Sequence, residues 1–294
     1  MTKTAFIAIV GRPNVGKSTL LNSILGEKVA IVSKKPQTTR NRITGIHTLG
    51  ENQFVFLDTP GIHKPRTKLG DFMIKTVNDT IGGATAIILV VEAREEVGDI
   101  ESKIIARIKS DKLPSILVIN KTDAVRPANI AKTIAAYAAA HNFDAVIPMS
   151  AKSGKGVDIL LSECEKYLYE SEWFFPDDIV TDQPERRIAA EIIREKLLRS
   201  LDEEIPHGTA VTIEEWREKD DLVSIRAEIY CEKASHKGII IGKRGAGIKR
   251  IGMQARADIE KMLDTRVFLD LYVRVKENWR DSDFNINDFG FGEE

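Results

Sequence analysis

The sequence predicts an α/β domain built on a mostly parallel sheet flanked by helices, followed by a smaller α+β domain. Three observations predict it. Through the first half, apolar runs of four to six residues alternate with helical patterns; that order needs crossover connections and therefore parallel strands covered on both faces. The alternation breaks over 171–185, and a different order of elements follows it. The 294 residues are also long for one core, at roughly 100–200 residues per domain.

Phe6 to Val10 reads as the first strand, and a helix begins near Lys17. Between them, Gly11-Arg12-Pro13-Asn14-Val15-Gly16-Lys17-Ser18 fits G-x-x-x-x-G-K-S/T at the strand-to-helix position that the pattern requires. Such a loop turns its backbone N–H groups inward and adds the positive end of a helix, so Gly11, Asn14, Val15, Gly16, Lys17, Ser18 and Thr19 form a candidate phosphate cradle. Lys17 supplies a point charge to the β- and γ-phosphates, and the Ser18 hydroxyl is a ligand for Mg²⁺. Asn14 is also a candidate for holding K⁺ beside the phosphates.

Ser33 to Arg42 is polar and carries adjacent threonines. A threonine that reaches Mg²⁺ only when the γ-phosphate is present would order this loop in one nucleotide state alone; Thr39 is preferred to Thr38. Arg42 to Leu49 and Gln53 to Leu57 are separated only by Gly50-Glu51-Asn52, which is hairpin spacing, so one strand runs antiparallel. Asp58-Thr59-Pro60-Gly61 ends that strand. Its position puts Asp58 on Mg²⁺ through a water and lets the Gly61 N–H sense the γ-phosphate. Lys17, Thr39, Asp58 and Gly61 are thus the residues expected to carry hydrolysis. Ile62 follows Gly61, and an aliphatic side chain cannot orient an attacking water as a glutamine does. Slow unassisted turnover is expected.

A helix near Lys68, a strand Ala86 to Val91, a helix near Asp99 and a strand Ile116 to Ile119 come next. Directly after the last stands Asn120-Lys121-Thr122-Asp123. Guanine offers paired N–H donors along one edge, and the Asp123 carboxylate can accept both; adenine offers no such pair and would leave the carboxylate unsatisfied. Asn120 can brace the loop and Lys121 can cover the base. After a helix near Pro127 and a strand Ala145 to Pro148, Ser150-Ala151-Lys152 can present a backbone N–H to the guanine oxygen. A helix near Val157 closes the domain. The expected ligands are GTP and GDP with Mg²⁺.

Trp173-Phe174-Phe175 anchors the segment that follows, and these aromatics are expected to pack between domains. Arg186 to Leu201 is helical, Thr209 to Glu218 and Val223 to Cys231 read as paired strands, and a helix ending at Leu263 precedes a strand Arg266 to Val275. From Lys233 to Arg256 there are seven Lys/Arg and no acidic residue. At its centre is Gly242-Lys243-Arg244-Gly245, where glycines let a sugar-phosphate chain approach while Lys243 and Arg244 neutralise it. With Ile241, Lys237, Lys249 and Arg250 alongside, the combination describes a KH clamp on about four nucleotides of single-stranded RNA. Periodicity alone reads Ile239 to Ile241 as a strand. A dinucleotide reading of these glycines is weaker, because no βαβ unit surrounds them. The residues 281–294 carry five acids and no base and are predicted to be a mobile tail.

Composition excludes little. A net charge of −1 gives no partner, two distant cysteines suit a reducing compartment, and no run approaches a membrane span. A cytoplasmic protein is expected.

The stretches 11–18, Gln37-Thr38-Thr39-Arg40, 58–62, 120–123, 150–152 and 241–245 together resemble the Era family of bacterial ribosome-assembly GTPases. The resemblance implies a P-loop GTPase domain over 1–170, a linker over 171–185, a type II KH domain (order α-β-β-α-α-β) over 186–280 and an acidic tail over 281–294. It also implies binding near the 3′ end of 16S rRNA, action on the small ribosomal subunit, a monomeric state and peripheral contact with the inner membrane. A helix, not a strand, would then lead into the G-x-x-G loop. The alternative is a GTP-dependent protein or membrane adaptor whose basic stretch meets acidic surfaces.

Overall fold

The structure, a computed structural model, describes residues 1–62 and 65–291. Two compact units divide the chain: Met1–Lys64 with Met73–Asp182, and Pro65–Phe72 with Gln183–Glu294.

The first unit contains β1 (Lys3–Val10), α1 (Lys17–Leu25), β2 (Ile43–Leu49), β3 (Asn52–Asp58), most of α2 (Lys68–Gly82), β4 (Ala86–Glu92), α3 (Asp99–Asp111), β5 (Ser115–Asn120), α4 (Pro127–Ala140), β6 (Ala145–Pro148), α5 (Val157–Cys164) and the short β7 (Tyr169–Glu170). The strand order is β2-β3-β1-β4-β5-β6. β1, β3, β4, β5 and β6 run parallel; β2 is antiparallel to β3, and β7 is antiparallel to the start of β1. The hairpin expected at Gly50 is therefore present. β4 and β5 are continuous Ile/Val/Leu runs, as buried parallel strands require. One sheet face packs on Leu20, Leu21 and Ile24 of α1 and Leu160 and Cys164 of α5. The other packs on Val77 and Ile81 of α2, Ile104 and Ile108 of α3 and Tyr137 of α4.

Beyond β7 the chain runs back along the β2–β3 hairpin. Ile46 N–H donates to Val180 O at 2.8 Å and Thr181 Oγ1 to Thr44 O at 2.7 Å. Gln53, with no exposed surface, accepts from the backbone N–H groups of Phe174 and Phe175 at 3.0 and 3.1 Å and donates to Phe175 O at 2.8 Å. Phe174 meets Phe6 edge-on, and Trp173 Nε1 donates to Glu51 O at 3.1 Å. The aromatics expected between domains thus dock on the first unit itself. Gln53→Leu strands two backbone donors and one acceptor, and is expected to destabilise this unit by about 2–3 kcal/mol, measured as a lower midpoint in chemical unfolding.

The second unit contains α6 (Glu185–Ser200), β8 (Ala210–Lys219), β9 (Leu222–Cys231), α7 (Ala234–Ile241), α8 (Ala246–Leu263), β10 (Arg266–Val275) and α9 (Asp283–Asp288). Its sheet has the order β10-β9-β8, with β9 parallel to β10 and antiparallel to β8. The α-β-β-α-α-β order of a type II KH domain is followed. Ile239 to Ile241, a strand by periodicity, is the last turn of α7. Three β-branched residues are too few to fix a strand; here Ile240 is buried in the core and Gly242, at φ 72°, ends the helix.

Residues 281–291 also depart from expectation, while 292–294 lie outside the described residues. Instead of a mobile tail, Ile286, Phe289 and Phe291 are buried. Phe291 stacks on Trp279 and Phe289 meets it edge-on; Trp279 is wholly buried and donates to Gly208 O at 2.9 Å. The acids sit on a segment whose few apolar residues form one cluster, and that cluster decides the outcome.

Candidate functional site

The loop between β1 and α1 is shaped by three close approaches. A Cβ on Gly11 would lie 2.3 Å from Val90 O, and one on Gly16 would lie 2.2 Å from Asn120 Nδ2. One on Gly61 would lie 2.6 Å from the Pro13 backbone, so the loop after β3 packs directly on the phosphate cradle. Lys17 is buried, and its ammonium donates to the carbonyls of Gly11 at 3.1 Å and Arg12 at 2.9 Å.

Beside it, the ends of three segments meet. Ser18 Oγ donates to Asp58 Oδ2 at 2.6 Å and lies 2.8 Å from Thr39 Oγ1. Thr39 is buried, whereas the Thr38 hydroxyl turns back to Lys35 O at 2.7 Å. Among the described residues Asp58 Oδ1, which is buried, has no hydrogen-bond partner. Two hydroxyls, a buried carboxylate with an unused oxygen and an adjacent ammonium form an oxygen-rich set, which fits a hard divalent cation on a phosphate chain. Among the described residues no cluster of His, Cys, Asp and Glu offers another metal site.

Burial lowers the Lys17 pKa to about 8 against the opposing pull of Asp58, and raises that of Asp58 to about 6 against Lys17 and the Ser18 hydroxyl. In the role expected of each, Lys17 would have to be charged to hold phosphate and Asp58 ionised to serve a magnesium–nucleotide complex. Affinity is therefore expected to hold from about pH 6 to about pH 8. It falls above that window as free Lys17 loses its proton, and below it as Asp58 gains one, approaching about tenfold per pH unit. Titration of a fluorescent GDP analogue across pH reads both limbs.

The base-side residues are equally fixed. Asn120 Nδ2 donates to Val15 O and Asn120 Oδ1 accepts from Ala151 N–H, both at 2.9 Å. Lys121, at φ 63°, donates to Asn14 O at 2.6 Å and pairs with Glu92. Ser150 Oγ donates to Asp123 Oδ1 at 2.7 Å; that bond holds the Asp123 carboxyl below its ordinary range. Lys152 is exposed at the rim. One wall of this site, Glu92, was not found from sequence, because nothing local marks a carboxylate at the end of β4.

In the second unit, Gly242 and Gly245 both have positive φ, 72° and 78°, with Lys243 and Arg244 exposed between them. The loop runs into α8, whose Ile248, Lys249, Gly252, Met253 and Arg256 line a groove of about 270 Å³ with Leu269 and Leu271 of β10. Of the sequence candidates, Lys249 reaches this groove. Arg250 instead lines a separate cavity with Ile239, Ile251 and Ser200 to Glu203, and Ile241 packs on the core. Lys237 sits in α7, ahead of the loop. Met253 and Arg256 were missed, although 249, 252, 253 and 256 share the helical spacing that could have found them.

Comparison with known proteins bears on both units. Residues 6–121 match the family of 50S ribosome-binding GTPases, and residues 204–280 match the KH domain family. The chain is 48% identical over 290 residues to the GTPase Era of Ruminiclostridium cellulolyticum, covering 98% of this chain and 97% of that protein. It is 49% identical to that of Clostridioides difficile, with each chain covered in full. Among solved structures, Era in complex with MgGDPNP and nucleotides 1506–1542 of 16S ribosomal RNA superposes with a TM-score of 0.95 at 39% identity, each chain covered in full. An Aquifex aeolicus Era variant bound to GDP and aluminium fluoride also gives 0.95, at 38% identity over 99% of this chain and all of that one.

Proposed function

The chain belongs to the Era family of GTPases, and on that premise we propose that it is a switch that hydrolyses GTP, binds the 3′ region of 16S rRNA and assists maturation of the small ribosomal subunit. The RNA half rests on one observation above the rest: the Gly242–Gly245 loop runs directly into α8, whose Ile248 and Met253 line a groove with Leu269 and Leu271 of β10, beside the basic Lys249 and Arg256. Such a groove accepts unstacked bases while the loop holds their phosphates.

For hydrolysis, the Lys17 ammonium neutralises charge on the β- and γ-phosphates, held in aim by the two carbonyls beneath it. Ser18 and Thr39 would offer hydroxyl oxygens to Mg²⁺, with the Asp58 carboxylate beside them. The metal, when bound, offsets negative charge on the transferred phosphoryl group. The Thr39 hydroxyl already stands beside Ser18 Oγ; withdrawal of its loop after hydrolysis would make the loop a reporter of the γ-phosphate, with the Gly61 N–H reporting it from the other side. Ile62 packs against the apolar cluster under the sheet, and its own aliphatic side chain offers the attacking water no polar group. Basal turnover is therefore slow.

K⁺ is the candidate that completes the charge. Asn14 Nδ2 donates to Lys34 O at 2.7 Å, which would make the amide Oδ1 the atom that K⁺ takes. GTPase rates are expected to be at least about tenfold higher in K⁺ than in Na⁺ buffer, the scale of one preorganised charge; equal rates would remove K⁺ from the site.

Among the described residues no helix is long and apolar enough to cross a membrane. The exposed basic face does favour a second reading, peripheral contact of a monomer with acidic lipid. Salt weakens both interactions and cannot separate them. Short single-stranded oligonucleotides that outcompete acidic liposomes would support the RNA reading, and the reverse would support the adaptor.

A further inference from the structure

The phosphate cradle has an anchor outside the motif. Arg12 lies between the hinge glycines, Gly11 at φ 150° and Gly16 at φ 103°, so its side chain can hold main chain that is otherwise free to turn. That side chain leaves the cradle for α3: its Nε lies 2.8 Å from Glu101 Oε2 and 2.7 Å from Oε1. The Glu101 side chain is 5% exposed and that of Arg12 is 26% exposed. The guanidinium is packed tightly against the start of α3, where a Cβ on Gly98 would lie 1.8 Å from one of its nitrogens. Glu101 stands in the first turn of that helix, where the helix dipole favours an anion.

The Arg12 carbonyl is one of the two oxygens that hold the Lys17 ammonium, at 2.9 Å. Fixing the Arg12 side chain therefore fixes the oxygen that aims Lys17. From this geometry we infer that Glu101 is a positioning residue for hydrolysis, acting through Arg12 on the aim of Lys17. The inference rests on the nucleotide reading of the cradle.

A misaimed ammonium costs most where charge develops in the transition state, so the loss appears in kcat more than in KM. Glu101→Gln is expected to lower kcat for GTP about tenfold with KM changed less than about threefold. An apolar pair, Arg12→Met with Glu101→Met, separates aiming from mere packing, since a replaced ion pair of similar volume often keeps stability. Its thermal midpoint is expected to match the parent while kcat stays low. Parent-like kcat in Glu101→Gln, or recovery of kcat in the double variant, overturns the positioning role. Parent protein that fails to bind fluorescent GDP would instead overturn the reading of the cradle, so the two failures are distinguishable.

Discussion

Asp123→Asn is expected to lower GTP affinity at least about 10³-fold and to let xanthosine nucleotides bind in its place. The carboxylate can accept both guanine donors, and it is positioned by the Ser150 hydroxyl at 2.7 Å. An asparagine keeps one acceptor but turns an N–H₂ toward the exocyclic amine of guanine, leaving two donors facing each other. Xanthine carries a carbonyl oxygen at that position and restores the pairing. The loop itself should survive, because Asn120 still holds it to Val15 O and Ala151 N–H. Competition of GTP and XTP against a fluorescent nucleotide measures the exchange. A variant that binds both as the parent does would show that another group reads the base.

Gly245→Asp should abolish measurable RNA binding, a loss of at least about 100-fold, while GTP affinity stays within about twofold. The two clamp glycines are not equivalent. A Cβ at Gly242 would lie 2.8 Å from Gly247 N, so any side chain there deforms the turn between α7 and α8. A Cβ at Gly245 meets nothing within 4 Å; its φ of 78° is left-handed, a region Asp tolerates better than most at about 1 kcal/mol. The substitution therefore leaves a folded domain whose loop carries a carboxylate where a phosphate must approach. Filter binding and thermal unfolding on the same sample separate the two effects. RNA affinity equal to the parent's in a folded variant would remove the clamp assignment.

Chemistry that depends on short spacing was legible in the sequence. The mostly parallel sheet follows from the alternation of strands and helices, and the residues expected to cradle phosphate and read the base all stand at strand ends, which a parallel sheet delivers to one edge. What depends on distant partners was not. Gln53 looks like an ordinary strand residue until the segment 174–175, more than a hundred positions later, closes on its side chain. Arg12 reads as a variable motif position until Glu101 reaches it. Local composition also misled where a few contacts outweigh it. Ile239 to Ile241 favour a strand on propensity, but tertiary burial of Ile240 and the turn at Gly242 make them helical. The acids of 281–291 suggested mobility, but three apolar side chains and Trp279 sufficed to seat the segment.

In a switch of this kind nucleotide state controls RNA binding, and linkage makes that control reciprocal. It is tested most directly by fluorescence anisotropy on a labelled RNA carrying the 3′ end of 16S rRNA, titrated with protein loaded with Mg–GDPNP or with Mg–GDP. The account predicts at least about tenfold tighter binding in the GDPNP form, a coupling of about 1.4 kcal/mol. Equal affinities in the two forms would contradict it and leave a GTPase joined to an RNA clamp that it does not control.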